Sequence, residues 1–480
     1  MLLLNLTSST SFQISRPIIN RSLRLYSSSN PDLGRKSSSV QKLNEKPKKQ
    51  KALNLQPPKG MRDFPPPLLR QRTYLFSQFR RTSLSHSFSE YDAPVLESEE
   101  LYTRKAGEEV TEQLYCFEDK GGRRVSLRPE MTPSLARMIM STKPALPLKY
   151  FSLPQCFRYE RMTRGRRREH YQWNCDIWGI KGIEAEVELI NMIVTFFESV
   201  GLSENDVGIK VNSRGIVKDL LEGLGVREEV FAETCVLIDK LEKVPVEALK
   251  KDLEELGINE NQITSILDTL VHKDISKISE IIGPDSAAVQ EITQLFSICE
   301  TLGIEKYLEF DASVIRGLSY YTGIVFEAFD REGNLRAIAG GGRYDKLLES
   351  FGGESIPAVG FGFGDAVIVE LLKDKGLLPD FDKGSVDFCV FSIDSGGTSS
   401  AMKLGNELRT KGFSVDVVLE EKKMKWAFKH ADRIGAERVV IVGGEEGERG
   451  EVKVKNMESG EQETVELKGV GEWAEKIIGE

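Results

Sequence analysis

The stretch Cys156-Phe157-Arg158-Tyr159-Glu160-Arg161-Met162-Thr163-Arg164-Gly165-Arg166-Arg167-Arg168-Glu169 runs directly into His170-Tyr171-Gln172-Trp173-Asn174-Cys175-Asp176-Ile177-Trp178-Gly179. Together they read as an antiparallel hairpin whose loop carries six arginines among the eleven residues 158 to 168. Its second strand puts Gln172, Asn174 and Asp176 on one face, because strand side chains alternate with period two. A face of amides and carboxylates beside a cationic loop suits a polyphosphate and a small polar substrate. An isolated basic hairpin would be only a solvated surface, so the segments around it decide the reading.

Length and composition set the frame. At 480 residues the chain can hold two or three domains with sizeable cores. No apolar run approaches the roughly 18 to 20 residues that a membrane-spanning helix needs, so a soluble protein with no membrane partner is expected. The six cysteines (116, 156, 175, 235, 299 and 389) form no CxxC pair, and the four histidines are dispersed. No metal ligand set is therefore expected, and the thiols read as reduced. The net charge of −9 hides two opposite parts. Residues 1 to 51 carry ten Lys/Arg against Asp32 and Glu45, or +8, which leaves −17 for the rest. The first 30 residues hold eight serines, three arginines and no acid. That is the composition of an organelle transit peptide, for chloroplast, mitochondrion or both. A secretory signal is disfavoured because no clean apolar core follows Met1 to Leu6.

Along the chain, prolines 65 to 67 mark a helix start, and Leu68, Leu69, Leu75, Phe76 and Phe79 recur at helical spacing to about Leu84. Residues 114 to 127 read as a hairpin turning at Gly121-Gly122, after which Thr132-Pro133 looks like an N-cap with proline at the first helical position. Glu184 to Val200 is an amphipathic helix with Ala185, Leu189, Ile190, Ile193, Phe196 and Phe197 facing inward. Residues 205 to about 300 read as charged helices (226–256, 263–282, 287–302) joined by short loops. Strands are expected at 323–329 and 335–339, turning through Glu332-Gly333-Asn334, followed by the glycine run 340 to 342. A buried strand Val359 to Phe363 and a helix from Asp365 to Lys375 come next. Past a linker at Pro379 to Gly384, a β-α-β-α-β pattern predicts a small α/β domain with a largely parallel core.

Four spaced elements then carry a resemblance. Phe157-Arg158-x-Glu160 with its arginine loop resembles motif 2 of class II aminoacyl-tRNA synthetases, and Leu127-Arg128-Pro129-Glu130-Met131-Thr132 resembles an element of their histidyl branch. Ile315-Arg316-Gly317-Leu318-Ser319-Tyr320-Tyr321-Thr322-Gly323 and Ala339-Gly340-Gly341-Gly342-Arg343-Tyr344-Asp345 are similar to the two histidine-specific signatures. The chain is thereby identified as a member of the histidyl-tRNA synthetase family over roughly Lys59 to Glu370, with a tail like the family's anticodon-binding domain. The implied fold is α+β, a class II catalytic domain whose antiparallel sheet is flanked by helices. The implied division is a leader (1–51), a catalytic part (52–204), a helical insertion (205–303), a second catalytic part (304–378) and an α/β anticodon-binding domain (385–480).

The resemblance implies that L-histidine and ATP, with Mg2+, give histidyl-adenylate, and that the histidyl group passes to tRNA(His). In-line displacement at phosphorus needs positioning and positive charge rather than a covalent nucleophile. Arg158 would meet the α-phosphate and the substrate carboxylate, Arg166 the terminal phosphates, and Arg316 would be the histidine-specific catalytic arginine that also meets the amino acid. Glu160 and His170 complete the implied ATP site. Glu130, Thr132 and Gln172 would hold the α-amino group, while Asp176, Tyr321 and Tyr344 bracket the imidazole. The long first helix is the family's dimer element, which implies a homodimer. Net charge does not oppose RNA binding when local patches do the work. Here the arginine loop would face the acceptor end, and Lys422, Lys423, Lys425 and Lys429 the other end.

The chain departs from the family pattern in four places, the first being Asp176, one methylene shorter than the usual glutamate. The arginine that ends motif 3 aligns with Val367, the opposing aromatic with His170, and a common aspartate with Ser319. An adenine between imidazole and valine lacks a cation–π contact of roughly 0.5–2 kcal/mol, about one order of magnitude in affinity. A non-catalytic, histidine-sensing paralogue that regulates ATP phosphoribosyltransferase would share the catalytic fold. The α/β tail and Arg158, Arg166 and Arg316 argue against it, as the two signatures argue against another amino acid.

Overall fold

The computed structural model describes residues 53–104, 111–238, 244–314, 320–381 and 386–478. The expected leader lies outside the described residues, and so does Arg316.

A nine-stranded sheet organises the larger part. After the helix Pro66–Ser85 comes β1 (Ser89–Glu90), and then a separate small sheet is built from β2 (Leu96–Ser98), β3 (Tyr115–Glu118) and β4 (Arg124–Leu127). Next come β5 (Leu148–Ser152), β6 (Gln155–Phe157), β7 (Glu169–Trp178), β8 (Val207–Ser213), β9 (Leu308–Phe310), β10 (Ile324–Asp330), β11 (Ala339–Arg343) and β12 (Ala358–Gly364). The order across the large sheet is β1-β5-β7-β12-β11-β10-β8-β9, with β6 paired to the start of β7. The middle is antiparallel throughout, and only the outer pairs β1–β5 and β8–β9 are parallel.

One face of this sheet is sealed by the helices Pro66–Ser85 and Glu184–Ser199. Trp173, Cys175 and Ile177 of β7 and Val359, Phe361 and Phe363 of β12 point into that core. Phe79 stacks on Trp173 with ring centroids 4.8 Å apart, and the Trp173 indole donates to the Ser83 hydroxyl at 2.8 Å. All six apolar positions expected to face inward on Glu184–Ser199 are buried. In Pro66–Ser85, Leu75 and Phe79 are buried, whereas Leu68 and Leu69 are exposed.

Several expected boundaries are corrected. Val207–Ser213 is a strand of the main sheet rather than part of a helical segment, since Val207, Ile209 and Val211 alternate with period two into the core. Pro245 separates Phe231–Ile238 from Val246–Glu255, and residues 271–274 separate Glu260–Leu270 from Ile275–Ile282. Helices between Val217 and Leu270 bury a core of their own, but Ile278 and the helix Ala287–Thr301 join the main core. The glycine run lies inside β11 rather than beyond it. Helix Thr132–Thr142 starts at Thr132 with Met131 in the capping position and no side-chain cap, so Thr132 is not the N-cap.

Beyond the linker, β13 (Val386–Ser392), β14 (Val415–Val417) and β15 (Ala436–Val442) are parallel, in the order β14-β13-β15. Two strands, β16 (Glu451–Asn456) and β17 (Gln462–Glu466), extend the sheet in antiparallel sense, which the expected parallel pattern did not include. Among the described residues one trio, Cys389, Asp416 and His430, gathers metal-ligand types. Its imidazole is already engaged on both sides: Asp416 Oδ2 lies 2.7 Å from Nε2, and Arg433 donates to Nδ1 at 2.7 Å. No helix among the described residues is long and apolar enough to cross a membrane.

Candidate active site

The open face of the large sheet carries a cavity of about 760 Å³, a size suited to one small-molecule complex. Its floor follows from register. β7 pairs Gln172, Asn174 and Asp176 with Gly364, Gly362 and Gly360 of β12. On the next strand Gly360 and Gly362 face Gly342 and Gly340 of β11. Because side chains alternate, the phenylalanines of β12 fill the core while its glycines leave the other face bare. Gly360 has no room for a side chain: a Cβ there would meet Asp176, with the Cys175 carbonyl and Tyr344 hydroxyl each 2.8 Å away. Two glycine-rich segments far apart in sequence thus form one platform beside the polar face of β7.

At one end this face becomes an enclosed polar pocket. Asp176 and Asn174 are buried; Asn174 Oδ1 and Asp176 Oδ2 make no hydrogen bond of good geometry among the described residues, although the Thr132 hydroxyl lies close enough to Asp176 to lower its pKa. Such orphaned buried acceptors cost about 1–3 kcal/mol each, and a ligand donor would satisfy them. The Tyr344 hydroxyl makes a short hydrogen bond to Asp176 Oδ1. Burial raises the Asp176 carboxyl to about 7; the Tyr344 bond opposes that rise and neighbouring Glu130 adds to it. Tyr320 donates to Glu130 Oε2 at 2.8 Å, and burial also lifts the Glu130 carboxyl above its ordinary range, against the pull of Arg158. Tyr320, Tyr321 and Tyr344 pack together with ring centroids 5.4 to 6.3 Å apart.

The opposite end is cationic. The arginine loop leaves β6 and returns through the Arg158 N–H donating to the Arg168 carbonyl at 2.9 Å. Arg158 Nε donates to the Pro129 carbonyl at 2.9 Å, which points its guanidinium at the floor beside Glu130 and Gln172. Arg166 is ion-paired with Glu160, and Arg164 is tied to Asp374 and Glu370 on the helix Asp365–Asp374. His170 is held neutral: burial, then Arg158, Arg62 and Arg166, push its pKa down to about 3. Val367 faces the same cavity, and a Cβ on Gly165 would lie 3.1 Å from its Cγ2.

The structure therefore brings Glu130, Thr132, Arg158, Glu160, Arg166, His170, Gln172, Tyr321 and Tyr344 to one cavity, with Asp176 directly behind Gly360 and Tyr344. Three contributors were not singled out from sequence. Asn174 was placed on the right face but given no role. Tyr320 was passed over for its neighbour in the Tyr320-Tyr321 pair. Arg336 sits in the β10–β11 connection and carries no local signal.

An antiparallel sheet with an arginine hairpin over its open face defines the catalytic core of a class II aminoacyl-tRNA synthetase. The histidyl-tRNA synthetase family model matches residues 60–365, and an anticodon-binding-domain model matches residues 387–477. The chain is 52% identical over 436 residues to a protein of Arabidopsis thaliana named histidine–tRNA ligase, chloroplastic/mitochondrial, covering 90% of each. It is 39% identical to the histidine–tRNA ligase of Thermoplasma volcanium over 87% of this chain and 98% of that protein. The crystal structure of histidyl-tRNA synthetase from Nostoc sp. PCC 7120 superposes with a TM-score of 0.73 at 25% identity, covering 88% of this chain and all of that one. The chain belongs to the histidyl-tRNA synthetase family, and its enzyme class is ligase.

Proposed function

We propose that this pocket activates L-histidine with ATP and that the chain charges tRNA(His), as a histidine–tRNA ligase. A histidine carboxylate oxygen attacks the α-phosphorus, pyrophosphate leaves, and the terminal ribose hydroxyl of tRNA then displaces AMP from the carbonyl carbon. One observation carries the reading: two unsatisfied buried acceptors, Asn174 Oδ1 and Asp176 Oδ2, adjoin an arginine-lined floor on one sheet face. The first pair suits the N–H donors of an imidazole or ammonium, and the second suits phosphates.

Asp176 with Tyr344 and Tyr321 would read the imidazole, and Glu130, Thr132 and Gln172 the α-amino group. Arg158 would bridge the carboxylate and α-phosphate, and Arg316 would act with it. The Arg166–Glu160 pair would open so that Arg166 meets the terminal phosphates, leaving Glu160 to the nucleotide with His170. ATP enters as its magnesium complex, and the Glu327 carboxylate on the same wall suits that hard cation. The helices between Val217 and Leu270 would lean on the acceptor stem. Residues 385–480 would read the anticodon, with Lys425 and Lys429 exposed on the helix Met424–Ile434, Lys423 exposed just before it and Lys422 lying 5.4 Å from the Trp426 ring. A homodimer through the first helix fits its exposed Leu68 and Leu69. The leader composition and the name of the Arabidopsis relative support work in chloroplast or mitochondrion, or both.

Charging assays with labelled histidine and a panel of transcripts test this. Acylation of tRNA(His) and no other tRNA is expected, whereas acylation of none by an enzyme that binds histidine would point to a sensor instead.

A further inference from the structure

Arg336 is exposed at the wall of the cavity and makes no hydrogen bond or ion pair with any described residue. The other arginines lining the cavity belong to the hairpin: Arg158 is bound to the Pro129 carbonyl, Arg166 to Glu160, and exposed Arg167 has no partner among the described residues. Arg336 comes from a different element, the connection between β10 and β11. That connection is anchored where the Ile338 N–H donates to the Ala328 carbonyl at 2.8 Å and the Ile338 carbonyl accepts from Gly364 N at 3.1 Å. Two residues of chain span at most about 7 Å, so Arg336 stays beside the start of helix Asp365–Asp374 and hence near Val367.

The surroundings there are mostly apolar, where Val367 meets Gly165 of the arginine loop. Ala337, Ile338 and Val367 are apolar, His170 is neutral, and the wall lacks an acid paired with Arg336. A flat aromatic ring between His170 and Val367 would be covered on neither side by charge unless Arg336 swings over it. A guanidinium is planar and weakly hydrated, so it stacks on an electron-rich ring where an ammonium would remain solvated.

We propose that Arg336 is the base-binding cation of the nucleotide site, covering the adenine of ATP from the β10–β11 connection in place of a cation at position 367. This rests on the reading of the cavity as an ATP site. It separates two jobs between two elements: phosphates to the arginine hairpin, base to Arg336.

The test compares wild type, Arg336→Ala and Arg336→Lys in histidine-dependent ATP–pyrophosphate exchange, with adenosine as a competitive inhibitor. Adenosine carries the base without phosphates. Arg336→Ala should raise the KM for ATP about tenfold and weaken adenosine by a similar factor, leaving the KM for histidine unchanged. Arg336→Lys should recover less than half of the loss, since charge returns without the plane. Unchanged ATP and adenosine affinity in Arg336→Ala would overturn the proposal. So would weakened ATP with unaltered adenosine, or full rescue by lysine, because both mean a phosphate contact. Absence of exchange in the wild type would instead remove the ATP-site reading itself.

Discussion

Asp176 is a single carboxylate on which several constraints meet. It lies on the polar face of β7, its neighbour across the sheet is Gly360, and one of its oxygens is held by Tyr344 while the other is unsatisfied. Burial raises its pKa to about 7, against an ordinary value of about 3.9 when unfolded. Between those values the folded state holds a proton that the unfolded state has released, so stability falls as pH rises from about 4 to about 7 and levels off above. Asp176→Asn cannot ionise and should flatten that part of the curve. Urea melts of both proteins without histidine, from about pH 5 to about pH 7.5, would check it. Parallel curves would mean that the carboxyl titrates normally and is not desolvated. That polar face was legible because strand alternation is local. The Tyr320–Glu130 bond joins residues 190 positions apart, and no periodicity reveals it.

Among the elements, β11 depends on a buried ion pair. Arg343, next to the glycine run, donates from Nε and Nη2 to the two carboxylate oxygens of Glu186 at 2.6 Å each. Glu186 is fully buried on the helix Glu184–Ser199, and Arg343 also donates to the carbonyls of Ile180 and Gly182. With no side chains at 340 to 342, the strand has little else to fix it against that helix. Glu186→Ala would leave the largely buried guanidinium with only the longer contact to Asp345 Oδ1 at 3.3 Å as counter-charge, and should cost about 3 kcal/mol in chemical denaturation. A loss below about 1 kcal/mol, the scale of exposed pairs, would show that water reaches Arg343. Sequence patterning found the apolar stripe of this helix but not Glu186, because a buried acid looks like a surface one until its partner is known. The strand Val207–Ser213 was hidden for a related reason: its short alternating run lies beside charged helices, and only pairing with β10 makes it a strand. The helix Glu184–Ser199 and the parallel centre of the tail were readable because their periodicities are long and uninterrupted.

At the scale of the whole molecule, the cores divide the labour. The catalytic sheet and its helices hold two clusters, one under the helices Pro66–Ser85 and Glu184–Ser199 and one around Trp178, Tyr344 and the helix Thr132–Thr142; the helices between Val217 and Leu270 hold another, and the C-terminal sheet has clusters on each face. The glycine floor, the polar end with Tyr320, Tyr321 and Tyr344, and the arginine hairpin all lie on the one large sheet, across both of its clusters. The motifs disclosed that constellation because each residue type is tied to its chemistry, whereas Val367 and Arg336 become related only when the chain is folded. The central claim is that this cavity joins histidine, and no other amino acid, to ATP. Histidine-dependent ATP–pyrophosphate exchange by protein lacking residues 1–51, run against each of the other amino acids, tests it most directly. Rapid exchange with histidine alone is the predicted result. Histidine binding without exchange, or comparable exchange with a second amino acid, would contradict it.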